Sequence, residues 1–381
     1  MVNYNEKDEK TFNKDYFKSA VTLFIKKSQN KNESRYKSWE YCYYFFHSVH
    51  EKISDKKLSL KSPFGDDGQK WTYKDQLSLH LAFYMASWGM YRGSSFLLQN
   101  DYTIYYGVIN VIFKDDYKEL WNNENLLKEN MEERIGLTLD IYKDIQNALY
   151  RFKDFYDTKS YFCIVNENSS EEDREGLNPK FLTIITKIML GTIGCFPALD
   201  RNFKYGFGIS DGSKKSDFVE QTIKRVFDLV LDKKEEIESA VEEIKKEIEC
   251  DELPPIMKAI DMYYFIKGQE DNFLYNLGFK KSEFNGVAKK EIRENIKGKI
   301  DGIKEEIENA LPEKPMHEKS KNALKFLYNN IYKKDPKKDT SPCFDYIANP
   351  IIRQYCEENL QSIKDFIGNY YRSDKEEDDE E

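Results

Sequence analysis

From Ser216 to Cys250 the chain carries neither Gly nor Pro. Apolar residues recur there at Val219, Ile223, Val226, Val230, Ile237, Val241, Ile244 and Ile248. The steps are mostly four and three, which keeps one face of a helix apolar and leaves the other to charge. A strand alternates every second residue and cannot present this pattern as one buried face. The spacing predicts one long helix over 216–250, interrupted only at Lys233–Lys234. A second stripe, Ile292, Ile296, Ile300, Ile303 and Ile307, predicts another over about 289–311. The two read either as surface helices of a bundle, as an antiparallel hairpin, or as a coiled-coil face for a protein partner. Pro254–Pro255 is read as the stop of the first.

The same periodicity runs through the rest of the chain. It predicts helices at about 15–28, 36–54, 72–98, 102–114, 130–156, 179–190, 316–333 and 350–371. Thr72 followed by Asp75 is a capping-box signature for the third. Strand signals are nearly absent, apart from a short candidate at 161–165. The fold class expected is an all-α, multi-helix bundle with two long amphipathic helices in the C-terminal half. The polar loop at 158–178 separates an N-terminal helical sub-domain, 1–157, from a C-terminal one, 179–371. The tail from 372 to 381 reads as disordered and acidic.

That tail explains much of the charge. The formal net charge is −9, but the last eight residues hold seven acids and one Lys. The body is close to neutral and not basic enough to argue for nucleic acid on charge alone. Six Cys are scattered without a CxxC or metal-ligand spacing. They are expected as reduced thiols in a cytoplasmic protein. The polar N-terminus is read as neither a signal peptide nor a transit peptide, and no apolar run approaches membrane-spanning length. No metal and no cofactor is expected. His47 and His50, at i and i+3, lack an evident third ligand. The chain shows no P-loop, HExxH or GxSxG.

Two stretches are nearly free of charge. Leu77–Phe113 contains only Arg92 and Asp101, and Phe181–Gly208 contains Lys187, Asp200, Arg201 and Lys204. The chain has ten Arg against 49 Lys, so an Arg retained among apolar neighbours points to use of its planar fork. A buried cation needs a partner. Two readings follow. In one, Arg92, Asp200 and Arg201 form a buried polar knot tying the stretches together. In the other, Arg92 and Arg201 bind a phosphate or carboxylate, with Trp88 and Tyr91 as walls. In "GCFPALDRNF", Pro197 suits a first helical turn, which would put Asp200 near a helix N-terminus.

The runs "LSLHLAFYMASWGMYRGSSFLLQ" and "KIMLGTIGCFPALDR" are similar to a family of uncharacterised bacterial all-helical proteins, and that resemblance implies no mechanism. The segment 187–203 also resembles, locally, the acid-bearing segment of helix-hairpin-helix DNA glycosylases and lyases. That resemblance implies Asp200 as the catalytic acid and Lys187 as the amine nucleophile. It departs in lacking the GxG hairpin and a basic body. Two functions fit the sequence: a binding or interaction module without turnover, and an enzyme acting on nucleic acid or a phosphorylated ligand.

Overall fold

The computed structural model describes residues 12–29, 36–62, 64, 71–92, 95–123, 131–155, 181–209, 217–248, 253–276, 289–308, 322–324, 350–365 and 367. Among them the fold is all-α. The helices are α1 (Lys14–Gln29), α2 (Ser38–Ser54), α3 (Tyr73–Ser87), α4 (Tyr106–Ile112), α5 (Met131–Phe155) and α6 (Leu182–Thr192). There follow α7 (Arg201–Phe207), α8 (Phe218–Asp232), α9 (Lys234–Ile248), α10 (Ile256–Asn276), α11 (Lys289–Glu308) and α12 (Pro350–Glu358). Short 3-10 turns lie at Phe96–Gln99, Tyr102–Tyr105 and Asp115–Trp121.

Helix α6 organises the first compact unit, Met1–Tyr263. Its sequence, LTIITKIMLGT, holds one charge, Lys187, and every residue but Thr183 is buried, so it lies in the core rather than at its edge. It packs against α2, α3 and α5. Thr186 and Thr192 turn their hydroxyls back to the carbonyls of Leu182 (2.6 Å) and Ile188 (2.7 Å), so neither leaves a polar group unmet. Gly191 lets α3 come close: a Cβ there would lie 2.4 Å from the Tyr84 ring. Gly194 ends the helix in a left-handed conformation, φ +75°, with its N–H on the Met189 carbonyl. The turn "GTIG" thus needs glycine twice, for two different reasons.

The capping box at α3 is present. Thr72 Oγ1 accepts from the Asp75 N–H (3.3 Å), and Asp75 Oδ2 accepts from the Thr72 N–H (2.7 Å). The helix stops at Ser87 rather than continuing to 98, because Gly89 turns left-handed at φ +72°.

The stripe over 216–250 does not make one helix. It breaks at Lys233 into α8 and α9. Between Val230 and Ile237 the only apolar residue is Leu231, which is exposed. With no core contact across that gap, each half turns to its own neighbour, α8 to α5 and α9 to α1. In the second unit, Tyr264–Glu381, α11 lies on α12 and buries Ile296, Ile300 and Ile303.

The two units divide within α10, not at 158–178. The helices on either side of that loop, α5 and α6, share one core. The loop, the helix expected at 316–333 apart from 322–324, and the acidic tail lie outside the described residues. Helix α10 itself is unforeseen. Pro254–Pro255 does not merely stop a helix; it leads straight into the next, as proline does well ahead of a first turn.

Candidate functional site

Between α6 and α7 the chain runs irregularly through the core. Every residue from Gly194 to Leu199 is buried. Such a segment has no helical ladder to satisfy its backbone, so side chains must do it. Thr186 Oγ1 accepts from the Leu199 N–H (3.0 Å), and Thr183 donates its hydroxyl to the Leu199 carbonyl (2.9 Å). Asp261 Oδ1, from α10, accepts from the Ala198 N–H (3.1 Å).

Asp200 ends the segment as the N-cap of α7. Its Oδ1 accepts from the Phe203 N–H at 3.0 Å. Its Oδ2 takes the Lys187 ammonium at 3.1 Å. Pro197 is therefore outside the helix, and α7 starts at Arg201, because a capping carboxylate must precede the N–H it accepts. Lys187 is 4% exposed and Asp200 17%.

A second ion pair lies beside the first. Lys258 donates to Asp261 Oδ2 at 2.7 Å, with side chains 2% and 8% exposed. Aromatic rings enclose the Lys258 ammonium: Phe24 at 4.5 Å, Trp39 at 5.2 Å and Trp88 at 5.8 Å from the ring centres. Lys187 stands 5.2 Å over the same Trp88 ring. Cations attract ring faces, and more so when water is excluded. Burial pushes the Lys258 ammonium below its usual range, with Lys187 adding to the push and Asp261 opposing it. Burial likewise pushes the Asp261 carboxyl up, against the pull of Lys258. Burial holds the Tyr84 hydroxyl well above its ordinary value, and the two aspartates add to that.

The two arginines of the expected polar knot are not in it. Arg92 and Arg201 are both exposed. Arg201 occupies the first position of α7 and points out of the core, while its neighbour Asp200 turns in. The Arg92 guanidinium folds back over Gly89, where a Cβ would approach it to 3.0 Å. Neither arginine forms an ion pair with another described residue. The knot is built from lysines instead, Lys187 and Lys258, with Asp200 and Asp261. Of the candidates from sequence, Trp88, Lys187 and Asp200 come together. Tyr91 is half-buried and donates to the Tyr105 hydroxyl at 3.2 Å.

Lys258 and Asp261 escaped the sequence reading, although a signal was there. They are the only charges in "IMKAIDMYYFI", a stretch as apolar as Leu77–Phe113 and Phe181–Gly208. Arg134 also escaped, and it is the arginine whose fork is used in the interior. At 2% exposure, its Nη1 donates to the Glu119 and Asn122 carbonyls, and its Nη2 to the Leu120 carbonyl and Asn123 Oδ1, all within 3.2–3.3 Å. It closes the carbonyl end of the 3-10 turn at Asp115–Trp121. Nothing in "MEERIGL" distinguishes it from a solvated face.

The histidines are packed as rings. His50 stacks on Trp121 at 3.9 Å, and His80 on Phe45 at 4.1 Å. His47 lies against Tyr43 at 4.0 Å and approaches the Ile193 carbonyl at 3.3 Å. Burial pushes His47 down to about 4. Among the described residues no group of three His, Cys, Asp or Glu is placed to hold a metal ion. Cys42, Cys195 and Cys356 are free and buried. No described helix is long and apolar enough to cross a membrane.

Comparison with known proteins returns nothing: no family model, no curated protein and no solved structure matches the chain.

Proposed function

We propose that the protein works by binding, without turnover, and that its ligand carries a phosphate or carboxylate held by Arg92 and Arg201. What carries this reading is the division of labour among the charges. The four charges of the knot, three of them buried and Asp200 nearly so, satisfy one another, whereas the two arginines are exposed and have no ionic partner among the described residues. Stability does not account for Arg201, because a cation at the first position of a helix opposes its dipole. Trp88 and Tyr91 are both partly exposed and would form the walls of the site. A planar guanidinium suits a bidentate oxyanion better than an ammonium does, in a chain that otherwise uses lysine.

The enzyme reading has less behind it. Both carboxylate oxygens of Asp200 are engaged, and Lys187 is almost closed to solvent. A cytoplasmic setting belongs to this proposal, resting on the scattered cysteines. A protein partner at α8–α9 or α11 remains a second route to the same class of function.

The test uses pyrophosphate and citrate as probes, with labelled single- and double-stranded DNA and RNA alongside, across a salt series. Pyrophosphate is expected to bind at low salt. Arg201→Ala should weaken it about tenfold, the worth of one charge-assisted hydrogen bond. The same variant should keep its stability within about 0.5 kcal/mol, as surface substitutions do. No anion binding at low salt overturns the proposal. Strand breakage that Asp200→Asn abolishes would replace it with the nucleic-acid enzyme.

A further inference from the structure

We infer that Asp261 is a positioning residue for the anion site: through the Ala198 N–H it sets where Arg201 stands, while Lys258 serves only to neutralise it. This rests on the binding role of Arg201 proposed above.

The segment from Gly194 to Leu199 has three named side-chain anchors near its end. Thr183 and Thr186 come from α6, the helix the segment has just left. Asp261 alone comes from α10. The threonines therefore tie the segment to its own origin, and Asp261 fixes it against a different element. Ala198 lies three residues before Arg201, with the Asp200 cap between them. Leu199 and Asp200, between Ala198 and Arg201, are both held on α6, by the two threonines and by Lys187, so the Ala198 bond is the tie that fixes this anchored stretch and the start of α7 against α10.

The hydrogen bond to Ala198 needs an acceptor oxygen, not a charge. A carboxylate in this place needs a counter-ion, and Lys258 supplies it at 2.7 Å within one turn of the same helix. The Lys258 ammonium has Asp261 on one side and aromatic faces on the others. Charge and acceptor are thus separable. Stability should follow both charge balance and the acceptor, whereas ligand binding should follow the acceptor alone.

Two double variants separate them. K258M/D261N removes both charges and keeps the acceptor oxygen. K258M/D261L removes both charges and the acceptor. Melting is read by tryptophan fluorescence and binding by titration with pyrophosphate. K258M/D261L is expected to melt below K258M/D261N, because it leaves the buried Ala198 N–H without an acceptor, so binding is compared well below both melting points. K258M/D261N should bind like the wild type, and K258M/D261L about tenfold more weakly, the loss of one charge-assisted contact. Amide exchange at Ala198 should quicken in K258M/D261L alone. If the leucine variant does not fold, K258M/D261A supports the same comparison. Wild-type binding by K258M/D261L, with slow exchange at Ala198, overturns the positioning role and leaves the anion site standing. Absence of pyrophosphate binding by the wild type overturns the anion site and this role together.

Discussion

Replacing Asp200 separates its two tasks. Asn caps a helix about as well as Asp, so Asp200→Asn keeps the bond to the Phe203 N–H and loses only the charge. Lys187, 4% exposed, is then left unpaired. Breaking a fully buried pair costs about 3–5 kcal/mol. Asp200 is 17% exposed and water reaches it, so about 2–3 kcal/mol is expected here. Asp200→Ala adds the lost cap, about 1 kcal/mol more. The opposite change, Lys187→Met, strands the more exposed partner, which water can solvate. It should cost less, about 1–2 kcal/mol. The pair K187M/D200N leaves no orphaned charge and should recover to within about 1 kcal/mol of the wild type. All four tryptophans, Trp39, Trp71, Trp88 and Trp121, lie in the first unit. Tryptophan fluorescence in urea therefore follows that unit by itself. The order Asp200→Ala, Asp200→Asn, Lys187→Met is the claim. If Lys187→Met proves as damaging as Asp200→Asn, burial of the lysine does not set the energetics, and the reasoning fails.

Three further substitutions or conditions follow. Arg134→Lys should destabilise by about 2–3 kcal/mol in the same urea assay, since one ammonium cannot reach three carbonyls and an amide oxygen at once; a loss below about 0.5 kcal/mol would show that water replaces the fork. Gly191→Ala should destabilise by about 1–3 kcal/mol, because its Cβ would meet the Tyr84 ring at 2.4 Å and α3 must move away from α6; near-UV circular dichroism reports the displaced ring, and an unchanged spectrum would refute the contact. Stability should also fall as pH drops from 6.5 towards 4. Over that window the unfolded chain protonates His47 while the folded protein, with its value near 4, does not; His50 and His80 shift the same way. Urea midpoints at several pH values check this, and His47→Gln should flatten the slope.

The helical class was legible because every long segment repeats at a helical period. The period tells which face is buried, not what covers it. That is why 216–250 reads as one helix and folds as two: the stripe resumes after the gap at Lys233–Lys234, but its partner changes from α5 to α1. The pairing of Lys187 with Asp200 was within reach of the sequence, since only a few charges interrupt that apolar stretch. The direction of Arg201 was not. Adjacent residues at a cap face opposite ways, because Asp200 must turn back to accept the Phe203 N–H while Arg201 has entered the helix. Composition around the pair is apolar for both.

The acid in this apolar stretch has a physical origin in the glycine turn before it. Gly191 admits Tyr84, and Gly194 breaks α6 while still inside the core. The chain then crosses buried space without a helical ladder, so its N–H groups need oxygen acceptors from elsewhere. Thr186 meets one, Asp261 another, and Asp200 caps the helix that follows. Two carboxylates brought inside for hydrogen bonding demand two cations, and Lys187 and Lys258 are those cations. Their ammonium groups in turn demand a polarisable lining, which Trp88, Trp39 and Phe24 provide. Each charge in the knot answers a need created by the backbone or by another charge. Arg92 and Arg201 answer none of these needs, and for that reason the search for a ligand belongs at the exposed rim.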